Sequence, residues 1–545
     1  MPSATRKSIS YTLLMSLALA CLLRIASAQG LTGQISGSLT DSQGGVVSNA
    51  RVEVINEETA QSRAVTSDGE GNFVVTQLLP GTYSLVVTAG GFKRFEQKGI
   101  VLTANERVAV RKVTLEIGDV NQTVTVTAEA PNVQTESAER AGLISEEQIQ
   151  NIALKGRDYM GLVRLLPGVV DTANREAPGW NNLVGVTVNG SRGGTLNLTL
   201  DGVSSLDTGS QLGPYLAPGL DAIGEVKVLL TNYQAEYGRS SGGTINVVIK
   251  NGTRDFHGSG FYFKRHEQFN ANEYFNNAGS LPKQRYRFNY WGGTIGGPVI
   301  IPGTGFNKNR DKLFFFWSQE YLPRLYPTRQ GRLTFPTQLE RAGDFSKSNA
   351  FIRDPLLTGL CQATPANPTP GVNYQAACFR DPSRTTADNP QGLNIIPLNR
   401  IDSNGQKLLN IFPLPNTTGG NFNTVFQSTV NQPRREELLR VDWNISSKTT
   451  FYARGIQSYE AFKGDFNFVL ASNIWPQFPI KYQIESRGLV STLIHTFNPT
   501  LTNEVTFGIN RALQTVNPLN QVGLDANDRV KIGLTLPQFF PSINP

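Results

Sequence analysis

Cysteine, histidine and methionine are scarce in this 545-residue sequence, at three of each, and charged residues make up only 17% of it. With no Cys-rich cluster and only His257, His266 and His495 as histidines, a structural zinc site is not expected, and no other metal or cofactor site is read from the sequence. Beyond the N-terminus no apolar run approaches the ~20 residues that a membrane-spanning helix needs. Mean hydropathy is −0.24, so a helical membrane protein is excluded. A membrane β-barrel is not, because its strands alternate apolar and polar residues and average to a soluble-looking composition. The net charge of +7 comes from scattered Lys and Arg without a basic helix or aromatic-basic stripe, and no nucleic acid is expected as a partner. Glycine, by contrast, is plentiful, at 53 residues.

The N-terminus carries Arg6 and Lys7, an apolar stretch from Leu13 to Leu23, and Ala26-Ser27-Ala28 before Gln29. That order is a secretory signal peptide over 1–28, cleaved after Ala28. A membrane anchor is the alternative, but Arg24 closes an apolar stretch too short to span. A lipoprotein signal at Cys21 would want Leu where Ala18 stands. Cleavage removes Cys21 and leaves Cys361 and Cys378, an even pair in an exported chain, which favours a disulfide between them.

Residues 29–117 read as a β-sandwich. Short β-branched runs such as Ala50-Arg51-Val52-Glu53-Val54 and Thr82-Tyr83-Ser84-Leu85-Val86-Val87 are separated by turn residues. The acidic turn Asp68-Gly69-Glu70-Gly71-Asn72 lacks the ligand spacing of a calcium loop and is read as a hairpin turn. Gly37-Ser38-Leu39-Thr40-Asp41, that turn, and Leu79-Pro80-Gly81-Thr82-Tyr83 resemble the carboxypeptidase regulatory-like domain, an accessory sandwich of transthyretin type, which implies no peptidase activity.

Between 131 and 252 the composition becomes mixed. A helix is predicted near Ser145 to Ala153, with Ser145 and Gln148 placed as a capping box. Val188-Asn189-Gly190-Ser191-Arg192-Gly193-Gly194-Thr195, Leu200-Asp201-Gly202-Val203, Leu220 through Val228, and Ala235 through Thr253 follow in order. Together they resemble the plug domain of TonB-dependent receptors. In the linker 118–130, Thr123-Val124-Thr125-Val126-Thr127 has the alternating β-branched character of a TonB box, which a TonB-type energy-transducing protein recruits as an added strand. A short strand at the edge of the sandwich is the plainer alternative.

From 253 to 545 the chain alternates. Leu439, Val441, Trp443 and Ile445 share one face while Arg440, Asp442 and Asn444 share the other, the period-2 pattern of a sheet wet on one side. Leu313 to Tyr321, Thr449 to Tyr459 and Glu504 to Asn510 repeat it. These strands are expected to run about ten residues, joined alternately by short turns and long loops as in membrane barrels. The segment Pro323 to Arg434 reads as an external excursion holding both remaining cysteines. Trp291-Gly292-Gly293-Thr294-Ile295-Gly296-Gly297-Pro298 and Asn309 through Phe316 resemble the Oar-like barrel.

No enzyme is expected. Gly238-Arg239-Ser240-Ser241-Gly242 matches the G-x-S-x-G elbow, but Thr244 to Ile249 after it is strand-like where a helix is required. His266-Glu267 begins a zinc-protease motif in which Asn270 occupies the second ligand position.

The expected fold is mainly β: a transthyretin-like sandwich, a mixed α/β plug, and the first part of a transmembrane antiparallel barrel in outer-membrane lipid. The resemblance implies a receptor or transporter for an unidentified small-molecule or oligomeric ligand, iron chelates, cobalamin and carbohydrates being the known kinds. A non-transporting surface or adhesion protein is the rival. About 22 strands of about 10 residues need some 220 residues before loops, so 253–545 is expected to be the N-terminal portion of a longer barrel.

Overall fold

The computed structural model describes residues 30–538 apart from 111, 128–135, 174, 180–182, 239, 279, 329, 419–420, 465–479, 499–500, 519–524 and 526–527. The signal sequence and its cleavage point after Ala28 lie outside the described residues.

The first unit is built from β1 (Gly33–Asp41), β2 (Arg51–Asn56), β3 (Ser62–Thr66), β4 (Asn72–Leu78), β5 (Gly81–Thr88), β6 (Arg94–Leu102), β7 (Arg107–Ala109), β8 (Val113–Leu115) and β9 (Thr123–Thr127). One sheet has the order β4-β1-β7, with β8 also on β1, and the other β3-β2-β5-β6-β9. Alternate residues point between them, so Ile35, Leu39, Val52, Val54, Leu85 and Val87 are sealed from solvent in one core. The Asp68 carboxylate accepts the N–H groups of Glu70 and Asn72 at 2.9 and 2.8 Å, which makes this acidic turn a self-capped hairpin.

The second unit carries β10 (Arg140–Ile144), β11 (Val169–Asp171), β12 (Val186–Val188), β13 (Asn197–Leu200), β14 (Val203–Ser204), β15 (Ile223–Thr231) and β16 (Thr244–Ile249). Its sheet has the order β10-β15-β16-β13-β14. A helix over Glu146–Asn151 starts at Ser145, whose hydroxyl and the Gln148 side chain complete the reciprocal capping box.

The third unit is one antiparallel sheet of seven strands. They are β17 (His257–Arg265), β18 (Arg287–Pro298), β19 (Leu313–Pro327), then β22 (Thr429–Ser446), β23 (Thr449–Gly464), β24 (Ile480–Asn498) and β25 (Leu501–Pro518), adjacent in that order. The long connection after β19 holds the short pair β20 (Gly331–Leu333) and β21 (Thr424–Phe426), and a disulfide joins Cys361 to Cys378 with 4.8 Å between their Cα atoms. Because β19 and β22 stay in register as far as Pro327 and Thr429, the excursion covers 328–428, narrower than the sequence pattern indicated.

Strands β22 to β25 run 16 to 19 residues rather than about ten. The apolar alternation in the sequence marks only their lipid-facing length. Across the outer face, Ile295, Trp317, Leu439, Gly455, Leu489 and Ile509 stand in one register row, and Phe315, Val441, Ala453, Ser491 and Phe507 in the next. Leu313, Trp443, Phe451, Leu493 and Val505 form a third. Toward the long connection, polar residues then take the same face, so the hydrogen-bonded ladder continues where hydrophobicity no longer reports it. A contiguous apolar surface of this extent needs a nonaqueous neighbour.

The sandwich core gives the first prediction. Leu85→Ala should destabilise it by about 2–5 kcal/mol, whereas Val74→Ala, at a position 47% exposed, should stay within about 0.5 kcal/mol, both read from urea unfolding of the full chain.

Candidate functional site

The inner face of the seven-stranded sheet is where the second unit sits. Phe316, Leu438 and Ile456 from β19, β22 and β23 join the apolar core of that unit, alongside Val226, Ile245 and Val247. Around this patch many inward positions are charged, and Arg434, Glu436, Arg440 and Arg454 are met across the interface. Arg454 donates from Nε to Asp201 Oδ2 at 2.8 Å, with both side chains almost wholly buried. Asp201 sits in the β13–β14 turn with φ of 49°, and its other oxygen accepts the Ile249 N–H at 2.9 Å. One carboxylate therefore ties the turn to β16 and to the sheet.

Arg440 repeats the device. It pairs with Asp442 on its own strand at 2.8 Å and donates to the Ile249 carbonyl at 2.7 Å, with its guanidinium over the Tyr452 ring. Farther along β22, Arg434 holds Glu436 at 2.9 Å and donates to the Ala217 carbonyl, while Glu436 accepts the Gly219 N–H at 2.6 Å. At Gly219 a Cβ would fall 2.2 Å from the Glu320 carboxyl carbon, so any side chain there would push that carboxyl aside. Glu320 in turn accepts from the Tyr290 hydroxyl at 2.5 Å. Within the second unit Arg157 pairs with Asp221 at 2.6 Å and lies 4.0 Å from the Phe261 ring centre on β17. Satisfied pairs of this kind fix position more than they add net stability, whereas a broken one leaves an expensive orphan charge.

The sandwich grips both neighbours at the short-turn end of the sheet. Ala104 gives its N–H to Glu225 at 2.7 Å and its carbonyl to the Lys227 ammonium at 2.9 Å, and Arg107 donates to Gln234 at 3.0 Å. Toward the strands, the Thr32 hydroxyl donates to Glu504 at 2.6 Å, and Gln61 bonds Thr450. Burial at this junction pushes the Glu225 carboxyl up to about 7, against the opposing pull of the Ala104 N–H and Lys227.

The segment Thr123–Thr127 forms β9, paired in parallel with β6 from Arg94 to Lys98. It is the last strand of its sheet, so its other edge has no strand partner among the described residues. Val124 is half-buried and Val126 is 43% exposed. The two cysteines lie together in the 328–428 connection, far in sequence from this edge. After Ser240 the chain enters β16 rather than a helix, and His257 opens β17 with Nδ1 near the Thr253 hydroxyl at 3.1 Å. His266 caps a short turn, accepting from Gln268 N–H at 3.2 Å. Among the described residues no group of His, Cys, Asp and Glu is arranged to hold a metal ion. The inward charges of β22 and β23 were not singled out by sequence reasoning as an interface. Their signal was present in the alternation Arg434, Glu436, Arg440 and Asp442, all at even positions opposite the apolar ones.

Two measurements test this interface. Arg454→Met strands the Asp201 carboxylate and should cost about 3–5 kcal/mol, and Arg454→Met with Asp201→Asn should recover most of it, read as protease resistance of residues 140–249 in urea. Because the Glu225 carboxyl titrates above the ordinary glutamate range when folded, the folded chain holds that proton more tightly than the unfolded one. Its contribution is greatest at low pH and is lost as pH rises through about 7. The melting midpoint should fall across that window, and Glu225→Gln should flatten the fall.

Residues 34–116 match the carboxypeptidase regulatory-like domain and residues 248–545 the outer membrane beta barrel domain. The TonB-dependent transporter Oar of Myxococcus xanthus is 28% identical over 269 residues, 47% of this chain and 23% of that protein, so the chain spans about a quarter of its relative's length. Among solved structures, the outer membrane transporter YddB from Escherichia coli aligns with a TM-score of 0.39 at 11% identity, covering 68% of this chain and 38% of that one. A mutant ferric enterobactin receptor from Pseudomonas aeruginosa, in complex with enterobactin, aligns at 0.36 and 11% identity, covering 70% and 42%. The family match extends over more than half of the sequence and covers every strand of the lipid-facing sheet: the chain belongs to the outer membrane β-barrel family, carries a carboxypeptidase regulatory-like domain ahead of the barrel, and resides in the outer membrane.

Proposed function

We propose that this chain is part of a TonB-dependent outer-membrane receptor that imports a ligand, with residues 131–252 as its plug and 253–545 as barrel wall. The observation that carries the proposal is the seating of the second unit on the charged inner face, where Arg454, Arg440 and Arg434 hold its backbone and Asp201. A wall made only to anchor or adhere has no need of a separate body inside it. The similarity to the Myxococcus xanthus transporter supports the same reading.

In this proposal a TonB-type partner supplies the energy, since no ATP is at hand outside the inner membrane, and it acts at Thr123–Thr127. Among the described residues the outer edge of β9 has no strand partner and so offers backbone groups for an added strand, and the exposed Thr123 and Thr125 keep that edge soluble. The ligand is an iron chelate, a cobalamin or a carbohydrate by the family's habit.

The test is binding of a TonB periplasmic domain to the full chain. Val124→Pro with Val126→Pro should weaken it by about tenfold or more, because proline removes strand donors. Absence of any interaction, or indifference to the prolines, would favour the non-transporting surface protein.

A further inference from the structure

Just beyond the apolar band, on the side of the long connection, the outer face of the sheet changes character within one register step. Across β18 to β24 the next outward row reads Gly293, Gln319, Glu437, Gln457 and Arg487, and the row after it Trp291, Tyr321, Arg435, Tyr459 and Glu485. Short turns on one end and a long connection on the other put this end outside the cell, so these rows stand at the level of the outer-leaflet head groups.

A cavity of about 580 Å³ opens here on residues of β18, β19, β22, β23 and β24, a size within the ~300–1,000 Å³ of small-molecule sites. All five strands are paired on both sides, so its walls are complete. One wall is aromatic. Trp291, 44% exposed, stacks on Tyr321 with ring centres 4.2 Å apart, and Tyr459 stands in the same row two strands farther on. The other wall is polar and balanced in charge. Arg435 pairs with Glu437, which also accepts from Gln319 at 3.0 Å and from Gln457 at 2.6 Å. Glu485 accepts from Gln483, and Arg487 is the next outward residue on its strand. Arg434 also borders the cavity but turns its guanidinium inward to Glu436.

Two carboxylates and two guanidiniums on the outward side leave no net charge to select an ion of either sign. They offer acceptors and donors side by side, which suits a hydroxyl, donor and acceptor at once. A sugar ring has hydroxyls on its rim and C–H groups on its faces, and so answers both walls. We propose that this cavity binds the sugar head group of an uncharged glycolipid of the outer leaflet, one face of the ring against the aromatic wall and its hydroxyls on Glu437, Gln457, Glu485 and Arg487. The lipid source follows from what lies directly below: Leu439 and Leu489, 48% and 44% exposed on the lipid face, give the acyl chains their track. Aromatic rings suit this depth, where one end of a ligand is apolar and the other wet. The site does not depend on the transport reading and faces away from the second unit.

The experiment uses the full chain in a polyoxyethylene detergent, which carries no sugar. It is titrated separately with a short-chain monoglucosyl diacylglycerol, the matching diacylglycerol and the matching phosphatidic acid, retention being read by native mass spectrometry. Wild-type should retain one glucosyl lipid and hold either of the others about tenfold less tightly. Trp291→Leu with Tyr459→Leu keeps apolar bulk but removes the flat wall and should weaken glucosyl-lipid retention about tenfold. Phe315→Leu with Phe507→Leu, aromatics of the apolar band outside the cavity, should leave it unchanged. Should the first pair fail to fold, Glu485→Gln, nearly isosteric, removes one of the two negative charges: glucosyl-lipid retention should fall and phosphatidic acid retention rise. Equal or better retention of diacylglycerol or phosphatidic acid by wild-type, indifference to the aromatic pair or to Glu485→Gln, or displacement of the glucosyl lipid by an equal concentration of free glucose would overturn the proposal.

Discussion

An arginine that cannot reach water has to be met where it stands, and the middle of this molecule is organised by that requirement. Arg434, Arg440 and Arg454 point inward from β22 and β23, each almost fully buried, and each finds a carbonyl or carboxylate of the second unit. The partners are mostly backbone groups: the Ala217 carbonyl ahead of β15, and the carbonyls of Ile249 and Leu200 at the last residues of β16 and β13.

The opposite face of the same strands obeys the opposite rule. Because side chains alternate, the inward Arg440 and Arg454 have outward neighbours on the apolar face, and one strand serves two solvents. On β22 this is visible residue by residue: Arg440 and Asp442 inside, Leu439, Val441 and Trp443 outside. A slip of one residue in register would send the charges into lipid and the apolar row against the second unit, so the ladder from Leu313 opposite Trp443 to Pro327 opposite Thr429 has a single acceptable alignment.

Much of this was legible in the sequence. The Ser145 capping box, the self-capped Asp68 turn and the alternation around Leu439 rest on local chemistry, and local chemistry is what a sequence displays. The full strand lengths were hidden because alternation fades once both faces are wet, as beyond Arg435. In β17 and β18 glycines stand beside aromatics on both faces, Phe261, Tyr262 and Phe263 in one and Phe288, Tyr290 and Trp291 in the other, so no apolar-polar alternation marks them, and family resemblance rather than periodicity pointed to the residues of β18. The contacts of Gly219 with Glu436 and of Ala104 with Glu225 and Lys227 were invisible for another reason: they join residues more than a hundred positions apart through backbone groups common to every residue.

The grip of the sandwich on both of its neighbours has a mechanical meaning. It touches the second unit through both backbone groups of Ala104 and through Arg107, and the rim of the sheet through Thr32 and Gln61. It is thus a brace spanning a joint, and the two bodies cannot separate at that end while both footholds last. Drawing the second unit away from the wall would require the sandwich either to travel with it, releasing β23 and β25, or to stay on the rim and surrender Ala104. Burial pushes the Glu225 carboxyl, which accepts the Ala104 N–H at that foothold, up to about 7, so the strength of the joint varies with pH.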